Sequence, residues 1–99
     1  MTTLAIERLT ADEVRTMDLR AQVDSLADVI TATLALGREL VTARTKLAHA
    51  QISVLREPST ETKSAVLMNR AILDTLGIRA RTLRQMCSIL QSLIRAASI

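Results

Sequence analysis

Residues 19–47 read LRAQVDSLADVITATLALGRELVTARTKL. Positions 19, 23, 26, 30, 33, 37, 40, 44 and 47 step by alternate fours and threes. They hold Leu, Val, Leu, Ile, Thr, Gly, Leu, Arg and Leu. That rhythm is a heptad-like seam for a partner helix. A second stripe, Val29, Leu36 and Leu40, widens the apolar face as a bundle helix requires. The seam turns small or polar at Thr33, Gly37 and Arg44. Either helices cross closely there, the simpler reading, or the seam opens to hold a polar ligand.

The helix containing this seam has few stops. Thr10 followed by Glu13 has capping-box spacing, and Asp12 and Glu13 suit a helix N-terminus. Nothing then interrupts a helix until Pro58. A helix over 11–55 runs roughly 68 Å at about 1.5 Å per residue. A compact domain of this length has a radius of gyration of about 13 Å. Such a helix either breaks, with Gly37 its weak point, or a second chain covers its stripe.

Glu57-Pro58-Ser59-Thr60-Glu61 is the first clear interruption. Ser59 or Thr60 can cap a second helix carrying Val66, Leu67, Ile72, Leu73 and Leu76. Gly77 follows as its expected stop. A third helix from about Arg79 shows Leu83, Met86, Cys87, Leu90, Leu93, Ile94 and Ala97. The expected fold is all-α: one long helix plus two shorter ones, in a single domain over 1–99. Residues 1–10 read as a flexible extension. Burial is poor at this size, so a homodimer is expected.

Composition agrees. The chain has 99 residues, 48% apolar, with a net charge of +3 and no Phe, Tyr or Trp. High apolar content with low net charge argues against disorder. A single Cys excludes an internal disulfide framework. His49 and Cys87 are the only soft ligands, so no metal site of the usual zinc type is expected. Two Gly and one Pro are too few for a turn-rich β fold. No apolar run reaches the roughly 18–20 residues of a membrane span. Met1–Glu7 lacks a basic stretch followed by an apolar one, so no secretion signal is expected and a reducing cytoplasm is the default. Without aromatic platforms, single-stranded nucleic acid is a poor partner. A charge of +3 gives weak support for duplex binding. The Arg excess is nevertheless local: residues 78–99 hold Arg79, Arg81, Arg84 and Arg95 and no acid.

No phosphate loop, nucleophile elbow or metal signature is present. His49 reads first as an exposed or half-buried helix residue, and Cys87 as a small core residue. Eleven of the 13 basic residues are Arg, whose planar fork matches carboxylates. Arg20 adjoins the seam and Arg44 lies on it. A buried guanidinium needs a partner. That partner is an acid from a neighbouring helix or, alternatively, an anionic ligand.

Leu19-Arg20-x-x-Val23-Asp24-x-Leu26-x-x-x-Ile30, then Arg38-Glu39-Leu40, then Lys46, resembles the first helix of the all-helical chorismate mutases. Those read Leu-Arg-x-x-Ile-Asp-x-Leu-Asp, then Arg-Arg-x-Leu, then a Lys-rich end. The similarity continues through Pro58, Val66-Leu67, Gly77-Ile78 and Ile89-Leu90, over roughly residues 15 to 98. It implies an intertwined homodimer with paired long helices and two equivalent sites. Each site would bind the dicarboxylate chorismate and rearrange it to prephenate, without a cofactor, in aromatic amino-acid or secondary-metabolite biosynthesis. Shape and cations would stabilise the polarised transition state.

Carried over residue by residue, the resemblance keeps Arg20, the Arg that crosses from the partner chain. Seventeen residues on, where the family has its second essential Arg, this chain has Gly37; Arg38 matches the less critical neighbour. Eleven further, in place of the catalytic Lys, stands Ala48. The Arg-Glu pair of the second helix falls near Thr62 and Lys63, and the late Gln near Ser98. The implied site is therefore Arg20 and Arg44 as catalytic groups, with Arg44 replacing the missing Lys from one turn before Ala48. Gly37, Arg38, Ala48, Lys63 and Ser98 would line the substrate.

Three functions follow. One is a divergent isomerase on chorismate or a related carboxylate. Another is a pericyclic enzyme with a pocket enlarged at Gly37 and Ala48 for a less anionic substrate. The third is a non-catalytic dimeric protein binding a small molecule or a protein partner. A secreted or filament-forming helical hairpin is the alternative outside the family.

Overall fold

A computed structural model describes residues 5–98. They are helical almost throughout, with no strand among the described residues. A 3₁₀ turn, Ala5–Arg8, precedes α1 (Ala11–Thr16), α2 (Leu19–Arg56) and α3 (Thr60–Ala97). The contacts divide the chain into two units. Unit 1 takes residues 1–35 and 79–99, and unit 2 takes Leu36–Ile78.

The predicted start of the first helix holds. Thr10 accepts the Glu13 N–H at 3.2 Å, and its hydroxyl donates to the Glu13 carboxylate at 3.1 Å. The expected continuous run over 11–55 does not form. Met17 is extended, with φ −70 and ψ 150, and its N–H closes on the Val14 carbonyl. Asp18 then accepts the Ala21 N–H at 2.8 Å. Asp18 is thus a fresh N-cap, and a short carboxylate competing for backbone donors starts a new helix. Gly37 does not break α2, which runs 38 residues.

The loop is as short as the sequence suggests. Ser59 is the cap: its Oγ accepts the Thr62 N–H at 3.1 Å, and Thr62 Oγ1 accepts the Ser59 N–H at 2.9 Å. Beyond it the expectation of two shorter helices is corrected. Thr60–Ala97 is one helix of 38 residues, and Gly77 lies inside it. A glycine stop requires a left-handed residue, and no glycine has positive φ among the described residues. The half-buried Gly77 follows the buried Leu76, so packing overrides the local cost of about 1 kcal/mol.

In unit 1 the core is Ile6, Val14, Val29, Ala32, Leu83, Met86 and Leu90, all at most 8% exposed. Gln22 is the buried polar residue, and its Nε2 donates to the Val14 carbonyl at 3.2 Å, tying α1 to α2. The 3₁₀ turn is packed in too, with Ile6 buried and Glu7 paired to Arg79. Unit 2 is a helical hairpin with Leu36, Ala43, Ala50 and Leu76 buried. Leu40, Leu47 and Val54 on one helix, and Val66, Asn69 and Leu73 on the other, are half-buried at heptad-like spacing.

The two stripes of α2 have separate fates. Val29 and Leu36 of the second stripe enter the chain's own core. Leu19, Val23 and Ile30 of the predicted seam stay 44–48% exposed, and the neighbouring Leu34 is 65% exposed.

Candidate functional site

The predicted site residues fall in both units. Arg20 and Ser98 belong to unit 1; Gly37, Arg38, Arg44, Ala48 and Lys63 belong to unit 2. Arg20 is exposed at the head of α2, one turn from Val23 and Asp24. No acid lies within ion-pair reach of Arg20 or Arg44 among the described residues. Ser98 is exposed, and its hydroxyl donates to the Ile94 carbonyl at 2.8 Å, a bond spent within its own helix.

In unit 2, Gly37, Arg44 and Ala48 fall on one line along α2, because intervals of seven and four return to the same face. Arg44 and Ala48 are exposed and Gly37 is half-buried. A Cβ added at Gly37 would meet nothing within 4 Å. The space that a larger side chain would fill is therefore an open face rather than an enclosed cavity. Arg38 is exposed and sits about 100° round the helix from this line. Its carbonyl accepts the Thr42 hydroxyl at 3.2 Å.

Lys63 has a different setting. It lines an open, apolar groove of about 430 Å³ with Gln51, Val54, Leu55, Val66 and Leu67. Leu55 is 83% exposed there. Thr62, the other position under the family's second-helix pair, is committed to the Ser59 cap. His49 is exposed, and its carbonyl accepts the Ser53 hydroxyl at 3.0 Å. Cys87 is a half-buried free thiol. No cluster of His, Cys, Asp and Glu fit for a metal occurs among the described residues. Nor, among these residues, is any helix long and apolar enough to cross a membrane.

Sequence reasoning missed two features of unit 1. The first is the ion pair between Arg79 and Glu7, whose side chains are 16% and 3% exposed. Its partners lie 72 residues apart, so no local pattern announces it. The second is a polar strip on α3. Arg81, Arg84, Gln85 and Ser88 line one shallow groove. Arg15, Ser88, Ile89, Ser92 and Leu93 line the next. The acid-free run over 78–99 was the available signal, but it did not say which arginines share a face.

Taken together, the described residues offer open faces and shallow grooves suited to binding by apolar contact and by guanidinium forks. Compared with known proteins, the chain matches no family model, no curated protein and no solved structure.

Proposed function

We propose that the chain works as a homodimeric helical protein that binds a partner molecule, pairing with a second copy through the exposed stripe of α2 in unit 1. The observation that carries this reading is the second apolar face of that helix. Val29 and Ala32 are buried in the chain's own core, while Leu19, Val23, Ile30 and Leu34 stand 44–65% exposed on the other side. A stripe at spacing of four, seven and four fits a partner helix. A second copy carries the same stripe, so the two faces can pair with one another about a two-fold axis. The lone, half-buried Cys87 suits a reducing cytoplasm.

Sedimentation velocity at micromolar concentration tests this. The expected species is a dimer, converted by Ile30→Glu with Leu34→Glu into a monomer that keeps its helical circular dichroism. A wild-type chain that sediments as a monomer throughout that range overturns the reading.

A second reading, isomerase chemistry on chorismate or a related carboxylate, is favoured by Arg20. It is exposed, has no acid partner among the described residues, and continues the Val23, Ile30 and Leu34 stripe by one step. A guanidinium at that place on a pairing face reaches toward the second chain, the role that the chorismate mutase resemblance implies. Loss of chorismate ultraviolet absorbance that Arg20→Ala abolishes supports this reading, and no loss at high protein concentration removes it.

A further inference from the structure

We propose that the exposed face of the C-terminal half of α3 is a docking strip for a short acidic segment of a partner protein. Arg81, Arg84, Gln85, Ser88, Ser92 and Arg95 are all exposed. At 100° per residue they fall within about 100° of arc, and they extend about 21 Å along the helix. The strip therefore presents three guanidiniums, one amide and two hydroxyls on one face of the helix. Its two grooves meet at Ser88, and the second is flanked by Arg15 of α1. No acid lines either groove.

Arg81, Arg84 and Arg95 have no acid within ion-pair reach among the described residues. They differ in this from Arg79, whose fork is occupied by Glu7. Arg15 holds Asp12 only at 3.4 Å, with both side chains well exposed, and such a contact yields readily to a better partner. The strip is thus charged but uncommitted. Guanidinium forks take carboxylates two-pronged, and the intervening hydroxyls and amide serve the remaining oxygens or the partner's backbone.

The charge balance around the strip decides between an acidic peptide and nucleic acid. Unit 1 carries seven arginines against six acids. A nearly neutral body gives little long-range pull on a nucleic acid, whose binding scales with the phosphates neutralised. The chain has no aromatic residue on which a base can stack. A local strip of about 21 Å instead matches three or four turns of a helix bearing Glu or Asp on one side. The strip lies on α3 and the pairing stripe on α2, so the two surfaces use different residues.

The test is fluorescence anisotropy with the full chain and a short fluorescein-labelled peptide of Glu-Ala-Ala repeats, with a short DNA duplex as competitor. Saturable binding at low salt is expected, weakened about tenfold by R81Q/R84Q. R56Q/R70Q, which removes two exposed arginines of unit 2, leaves the affinity within about twofold. Circular dichroism checks that each variant is folded. Should R81Q/R84Q fail to fold, Arg84→Lys keeps the charge but loses the fork, and weakens binding about threefold. The proposal is overturned by the absence of saturable binding, by equal weakening from the two double variants, by an Arg84→Lys affinity equal to wild type, or by tighter binding of the duplex.

Discussion

Arg79 holds Glu7 by two prongs, Nε to Oε1 at 2.8 Å and Nη2 to Oε2 at 3.2 Å. The pair fastens the 3₁₀ turn to α3 within unit 1, and Glu7 is nearly sealed from water. Sealing a charge in this way stabilises only while its partner stays. Glu7→Gln keeps the shape of the side chain and removes the charge. It should lower unfolding free energy by about 2 kcal/mol, read as a reduced urea midpoint with an unchanged slope. The exposed Asp12–Arg15 pair gives the contrast: Asp12→Asn should change the unfolding free energy by less than about 0.5 kcal/mol.

Gly77 gives a prediction of opposite sign. It sits inside α3 without positive φ, and an added Cβ meets nothing within 4 Å. Gly77→Ala should therefore stabilise by about 1 kcal/mol, through helix propensity and a less flexible unfolded chain. Thermal denaturation followed at 222 nm measures it. A lower melting temperature would mean that another chain packs against that position.

The cap at Ser59 is worth a similar amount. Ser59→Ala removes the acceptor for the Thr62 N–H and should cost about 1 kcal/mol. Ser59→Asp should restore most of it, since Asp caps as well and its charge suits a helix N-terminus. Chemical denaturation of the three forms checks the order.

Leu90 is completely buried in unit 1. Leu90→Ala should cost about 3 kcal/mol by losing transfer free energy and leaving a cavity. Leu34, at 65% exposure, should change monomer stability by less than about 0.5 kcal/mol when replaced by Ala. A large Leu34→Ala effect that grows with protein concentration would instead report a face covered by a second copy.

How far the sequence revealed these features depends on the range of the interaction. Caps at Thr10 and Ser59 were legible because their partners are three residues away. The all-helical class followed from periodicity, which every turn repeats. Gly77 was misread because a glycine stop and a helix-interior glycine look alike until the packing of Leu76 and its neighbours decides. The restart at Asp18 was hidden because its carboxylate can equally sit within a helix as an exposed residue. The site was less legible still. Arg20, Arg44 and Lys63 were picked by motif and position; Arg20 belongs to unit 1, and Arg44 and Lys63 belong to unit 2. The strip at Arg81, Arg84 and Arg95 lay within the expected third helix, but a row of exposed arginines reads as a solvated face until the grooves beside it are seen.

The three-residue turn at Glu57–Ser59 also sets an order of events. It brings the α2 and α3 segments of unit 2 together at short sequence separation, so this hairpin assembles at small loop-closing entropy. Glu7 must wait for a segment 72 residues away. The expected order is therefore the hairpin first and the Glu7–Arg79 clasp last. In kinetic terms, Ala43→Gly should slow folding, whereas Glu7→Gln should leave the folding rate alone and speed unfolding.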